Sequence, residues 1–378
     1  MGLLFFTLIL IIIEIYEYLQ IKETGLLRGD FSTPVYDLNV VTPAFLLSIF
    51  GWVGTYLVTR WTQVRHAPRI AIPQSNWVLL IFIVNYVVTV VGDVGNVLSP
   101  TKSGLSIITT LIPVNLLILA LAVQQISWRF FVCAILLVLI DLQRLLLGAI
   151  FQMVYLFIVK ATRLWLLVAL VCLPLLTIIG TELVKFKYEA RNMEINDVET
   201  LLINSVTSRI SSTNTFAYGL ESLDDLSTFC HTQDYSSQYF AAVLSVVPKK
   251  IFGLEWVKTY NNCLIEYRLG RDVADSSVNS PWLLNLTMLW QHDVLKCILY
   301  LFFTVSFLFV FIVASNYFFG NSAAIVKYWL LFMFVWTGNI LLLTIPTYAF
   351  FVLYIYYRMY GKSLRPKSNN VRKYVFKL

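Results

Sequence analysis

Apolar runs of bilayer-crossing length flank a single polar block, Glu182 to His292, and this pattern constrains the chain more than any motif in it. A helix needs about 20 apolar residues to cross membrane hydrocarbon. Runs near that length cover Leu3–Leu19, Pro43–Thr59, Trp77–Leu98, Leu105–Val123, Phe130–Ile140, Leu145–Val159 and Leu164–Thr181 before the block. Val294–Ser315, Tyr328–Leu343 and Tyr348–Tyr357 follow it. The expected fold is an all-α polytopic membrane protein, with about ten transmembrane helices and one large extracytoplasmic loop containing short helices. The runs around Phe130–Val159 are short enough to be bent or re-entrant. The first run lacks a basic start and a small-residue cleavage site, which makes it a retained helix rather than a signal peptide.

Charge sets the orientation. With the amino terminus in the cytoplasm, Arg60, Arg65, Arg69, Arg129, Lys160, Arg163 and Lys327 fall on cytoplasmic loops. Arg358, Lys362, Arg365, Lys367, Arg372, Lys373 and Lys377 of the tail join them, giving fourteen basic residues and no acidic ones. That asymmetry is the positive-inside pattern. The block through Asp293 then faces outward with nine basic and fourteen acidic residues. The net charge of +7 is thus a product of topology; a nucleic-acid-binding face would not be divided among membrane loops. The expected organisation is a seven-helix membrane region (1–181), an extracytoplasmic region (182–293), a three-helix region (294–357) and a basic cytoplasmic tail (358–378).

Inside the block, Asn196 with Glu199 three residues on reads as a capping box. Tyr239, Phe240, Val243, Leu244 and Val247 follow a helical period that Pro248 stops. Asn261–Ser280 is polar and reads as loop, and Thr344-Ile-Pro346 reads as the break between the last two spans. Cys230 and Cys263 share the block, either as a disulfide or as two free thiols. No Cys or His spacing marks a metal site, and no internal repeat marks a duplicated transporter.

Four groups of residues carry candidate chemistry. Arg144, in Asp141-Leu-Gln-Arg144, either pairs with Asp141 to close a hairpin or faces an anionic headgroup. Arg209 heads Ser208-Arg-Ile-Ser-Ser-Thr-Asn214, where a guanidinium fork and a run of hydroxyls and amides suit phosphate and sugar; the alternative is a solvated helix end. Lys249, Lys250, Arg268 and Arg271 are cations in a block of net negative charge, suited to a diphosphate or simply solvated. The candidate proton carriers are His292, at the re-entry to the membrane, and Asp93, near the outer end of the third span. His231 reads as a surface histidine. Glu14 and Glu17 lie in the first span, and Glu17 is close enough to its end to snorkel outward. Walker A, GxSxG and HExxH motifs are absent, and the first external loop, Gln20–Thr42, carries only the separated acids Glu23, Asp30 and Asp37. Metal-assisted glycosyl transfer of the paired-acid type is therefore not expected.

The layout resembles the O-antigen polymerases, the Wzy-type oligosaccharide repeat unit polymerases. The likeness rests on Arg144 opening a span, on Ser208–Ser211 early in the loop, on Val247–Phe252 as a Pro-basic-aromatic stretch, and on Asn279-Ser-Pro-Trp282 before the next span. It implies a multi-pass protein of the bacterial inner membrane, with a periplasmic loop and a cytoplasmic carboxyl terminus. The implied activity is metal-independent, cofactor-free glycosyl transfer between undecaprenyl-diphosphate-linked oligosaccharides, in a lipopolysaccharide or related pathway. A chain-length regulator, a flippase and membrane lipids are the implied partners. The resemblance nominates Arg144, Arg209, Lys249, Lys250, Arg268 and Arg271 for the diphosphates, and Arg209, Asp93 and His292 for catalysis. Tyr235, Tyr239, Trp256 and Trp282 are nominated for the sugars, although core packing is the commoner fate of such rings. A ligase moving finished glycan to lipid A core shares the layout, and a transporter of lipid-linked sugars is a rival of another class.

Overall fold

The computed structural model describes residues 2–28, 33–66, 68, 76–91, 114–124, 128–143, 148–160, 182, 185, 207, 210–232, 260–269 and 279–360. These residues are almost all helical, with a lone Leu26–Pro34 bridge as the β pairing among them. Among the described residues, three stretches are long and apolar enough to cross a membrane: Gly2–Thr24, Leu38–Trp61 and Val294–Thr337. Shorter apolar helices cover Val78–Val90, Val114–Val123, Gly148–Lys160 and Leu342–Phe351.

The first two long helices show why the chain assembles as it does. Helix α1 (Gly2–Thr24) buries Phe6, Thr7, Leu10, Glu14, Glu17 and Ile21, a stripe recurring every three or four residues. Its opposite side exposes Phe5, Leu8, Ile12 and Leu19, at 46–63%. Polar groups inward and oily groups outward suit a helix bathed in lipid. Helix α2 (Val41–Trp61) buries Ala44, Ser48, Gly51, Thr55 and Thr59 around Trp52. Small residues let neighbouring backbones approach, and that packing drives helix association in a membrane.

Helix α3 (Asn76–Tyr86) continues as a π-helical stretch, Val87–Val91. Helices α4 (Val114–Gln124), α5 (Trp128–Gln143) and α6 (Gly148–Lys160) pack on one another. At 16 and 13 residues, α5 and α6 span about 24 and 20 Å, less than the roughly 30 Å of a bilayer core. Short α7 (Thr213–Glu221), α8 (Leu223–Thr232), α9 (Tyr260–Leu269) and α10 (Trp282–His292) come from the polar block. The chain then runs through α11 (Val294–Phe319), a turn at Gly320–Ser322, α12 (Ala323–Thr337) and α13 (Leu341–Tyr360).

Three expectations are corrected. The break before the last helix lies at Gly338, and Pro346 sits inside α13. Gly338 adopts φ 62°, and its N–H returns to the Phe334 carbonyl at 2.8 Å. A Cβ there would stand 2.1 Å from the Ser280 carbonyl oxygen and 2.4 Å from Asn285 Nδ2, so this reversal requires glycine. Second, residues 260–269 form a helix rather than a loop, because Cys263 and Leu264 are fully buried and tertiary contacts outweigh a polar local sequence. Third, Lys327 lies within α12, fully buried. Its ammonium donates to the Thr62 carbonyl, Thr62 Oγ1 and Asn316 Oδ1 at 2.8–2.9 Å, which satisfies all three protons of a cation no loop exposes to water.

Candidate functional site

Two polar clusters form where the block meets the membrane helices. The first is built on α1. Glu14 and Glu17 lie one turn apart on its buried stripe, both fully buried. Helix α7 runs back along α2 and brings its leading end to Glu14. Glu14 Oε1 accepts from Trp52 Nε1 (2.8 Å), Ser212 N (2.9 Å) and Ser212 Oγ (3.2 Å). Its Oε2 accepts from Ser211 Oγ (2.6 Å), Thr213 Oγ1 (2.7 Å) and Thr213 N (3.2 Å). A carboxylate at a helix amino terminus meets unpaired N–H groups and the positive end of the helix dipole. Hydrogen bonds to a charged group contribute about 1.5–3 kcal/mol each, enough in sum to offset a desolvation penalty of several kcal/mol.

Glu17 completes the cluster. Its Oε2 accepts from Asn214 Nδ2 at 3.0 Å, and Asn214 Oδ1 in turn accepts from the Arg28 backbone N–H at 2.9 Å. Glu17 Oε1 is buried without a hydrogen-bond partner. Glu17 therefore does not snorkel outward. The hydroxyl and amide run Ser211–Asn214 is not open to solvent either, because these two carboxylates take it up. Ser48, which meets Ser212 Oγ at 3.0 Å, lies seven residues into α2, about 10 Å along its axis from Val41. At the other end of α7, Glu221 accepts the backbone N–H groups of Tyr36 and Asp37 in the external loop. A segment from the polar block is thus inserted between α1 and α2, and Thr213–Gly219 are all buried.

The second cluster joins α8 to α10. His292 Nε2 lies 2.9 Å from Ser227 Oγ, which lies 3.1 Å from Gln291 Oε1; Gln291 Nε2 donates to Asp224 Oδ1. Proton counting orders this chain. Gln291 turns its NH₂ to Asp224, and Ser227 Oγ has two acceptors at 3.1 Å, Gln291 Oε1 and the Asp224 carbonyl, so its single proton goes to one of these and His292 donates from Nε2. In the neutral ring this leaves Nδ1 as the accepting atom. His231 is a surface residue as expected, and its ring stacks on His292 with centroids 5.4 Å apart. Asp293, although adjacent in sequence, turns away to cap α11 through the Lys296 N–H at 2.9 Å.

Cys230 of α8 and Cys263 of α9 are joined as a disulfide, with Cα atoms 5.7 Å apart. Arg268 is half-buried on α9. Burial pushes the nearby Tyr218 phenol up to about 12, against the opposing pull of the Arg268 charge. Trp282 opens α10 with its ring against Phe334, centroids 5.5 Å apart, and its indole N–H is buried without a partner.

The structure brings His292 together with Ser227, Gln291 and Asp224, none of which the sequence singled out; adjacency to a histidine was the available signal for Gln291 alone. It does not bring His292 to Glu14, since α7, about 13 Å long, and the start of α8 lie between them. Arg209, Asp93, Arg144, Lys249, Lys250, Arg271, Tyr235, Tyr239 and Trp256 lie outside the described residues. No protein-family model, curated protein or solved structure matches this chain.

Proposed function

We propose that this protein is a membrane glycosyltransferase of the O-antigen polymerase type. In this reading about ten spans cross the bacterial inner membrane. The amino terminus, the basic loops and the tail are cytoplasmic, and the α7–α10 region faces the periplasm. The Cys230–Cys263 disulfide supports that placement, because such bonds persist in oxidising compartments.

The observation that carries the reading is the insertion of Ser211–Asn214, two residues after Arg209, to the depth of Glu14. This polar segment is held about 10 Å along α2 from Val41, between membrane helices, which in this reading keeps the adjoining Arg209 close to a lipid-linked head group. Arg209 is the proposed diphosphate ligand there, with Arg144, Lys249, Lys250, Arg268 and Arg271 as further cations. The donor's anomeric carbon–oxygen bond breaks, the diphosphate leaves on its carrier, and a hydroxyl of the acceptor sugar forms the new bond. Cations stabilise the leaving group, and His292 Nδ1 receives the hydroxyl proton. Asp93 is the alternative base.

Arg209→Ala and Arg144→Ala are each expected to abolish long glycan chains while leaving single repeats on the acceptor, as read from surface-polysaccharide gels. An unchanged ladder in both variants overturns the assignment. Full-length polymer that stays on its lipid carrier in a deletion strain identifies the ligase instead. A deletion strain in which no repeat reaches the surface identifies the transporter.

A further inference from the structure

At the opposite end of the membrane helices from Glu14, α4, α5 and α6 enclose a groove of about 330 Å³. That position follows from α1, whose Gly2 packs against the backbone of Val159, next to Lys160. Among the described residues the groove walls are apolar, with Lys160 the one charged residue lining it. On α5 the lining runs from Phe130 to Leu139, nine residues or about 13.5 Å, half of a roughly 30 Å hydrocarbon core. The groove is therefore one leaflet deep. It opens sideways: Phe131, Ile135 and Leu139 are 44%, 59% and 41% exposed, a face that meets lipid tails.

Its polar end is equipped for an anion. Lys160 Nζ donates to the Ala122 carbonyl, one of the last four of α4, which leaves two of its three ammonium protons for another acceptor. The first turn of α5 adds Arg129, whose guanidinium lies 5.4 Å from the Trp128 ring, and Trp128 is 62% exposed. Lys160 at the groove, with Trp128 and Arg129 directly before Phe130 on α5, supplies the residue types of an interfacial anchor.

We infer that this groove binds one acyl chain of an anionic phospholipid, with the lipid phosphate on Lys160. Basic pockets between membrane helices take such headgroups. The one-leaflet depth and the charge at one end favour a phospholipid over a polyprenyl carrier, whose tail exceeds a leaflet. The inference concerns the face opposite the proposed glycosyl-transfer site and does not rest on that function.

The test uses full-length protein in detergent, with native mass spectrometry against equal phosphatidylglycerol and phosphatidylcholine of the same chains. Wild type is expected to retain phosphatidylglycerol about fivefold better, the effect of one surface cation. Lys160→Gln, which keeps a donor for Ala122, abolishes the preference; Ile135→Trp fills the slot and abolishes retention. Phe302→Trp, on the remote lipid-facing side of α11, changes neither. Should Lys160→Gln fail to fold, Ile135→Trp and Phe302→Trp decide. Equal retention of the two lipids by wild type, or unchanged binding in Ile135→Trp, overturns the inference. Displacement of the phospholipid by equimolar undecaprenyl phosphate also overturns it and assigns the groove to the carrier.

Discussion

The Glu14 carboxylate in the first helix accepts the backbone N–H of Ser212 at 2.9 Å, across 198 residues of chain. That contact holds the leading end of α7 inside the membrane helices. Removing the acceptor strands several buried donors, each costing about 1–3 kcal/mol when unsatisfied. Glu14→Ala is expected to lower stability by about 4 kcal/mol. Glu14→Gln is expected to cost about 2–3 kcal/mol, because its NH₂ faces hydroxyl and amide donors. Thermal unfolding in detergent measures both, and limited proteolysis near Ser211 should accelerate in parallel. Wild-type stability in Glu14→Ala would sink the account of the inserted helix.

His292 Nε2 meets Ser227 Oγ, whose own proton goes to Gln291 Oε1 or the Asp224 carbonyl. In the proposed glycosyl transfer, His292→Ala removes the proposed proton acceptor and should slow chain extension by about 100-fold or more. Ser227→Ala and Asp224→Asn act through its tautomer and should cost about tenfold, with a shifted pH–rate profile. A merely structural role would lower protein yield in these variants and leave the pH profile in place.

The disulfide closes a loop with a sequence separation of 33. Cys230→Ser with Cys263→Ser is expected to cost about 3 kcal/mol. In intact cells, a thiol reagent should label neither cysteine before reduction. Prompt labelling of both without reductant contradicts an oxidised pair.

Tyr218 titrates near 12 when folded, against an ordinary 10.0. A folded value above the unfolded one stabilises below the unfolded pKa, and that stability is lost as pH rises through the folded value. Stability should therefore fall between pH 10 and 12, by at most about 3 kcal/mol from this group. Tyr218→Phe should flatten that limb in alkaline unfolding curves.

Helical class, the apolar runs and the polar block were legible because hydrophobicity is local and additive along the chain. The sequence pointed to His292, but Ser227 and Asp224 are ordinary helix residues until α8 lies beside α10. Glu14 and Glu17 stood out as acids in an oily run, yet their partner segment lies nearly 200 residues away. The turn before α13 was misplaced for a similar reason. Pro346 is a local signal, whereas Gly338 is required by the approach of Ser280 from another part of the chain.

Composition and spacing alone determined that this chain belongs in a membrane with one polar block between its apolar helices, because burying apolar surface is favourable whatever the partner. Only the tertiary structure decided which polar groups meet: that Ser211–Asn214 close on Glu14 and Glu17, and that Lys327 is enclosed by Thr62 and Asn316. The physical reason is that a hydrogen bond depends on distance and direction between particular atoms, and the fold sets both.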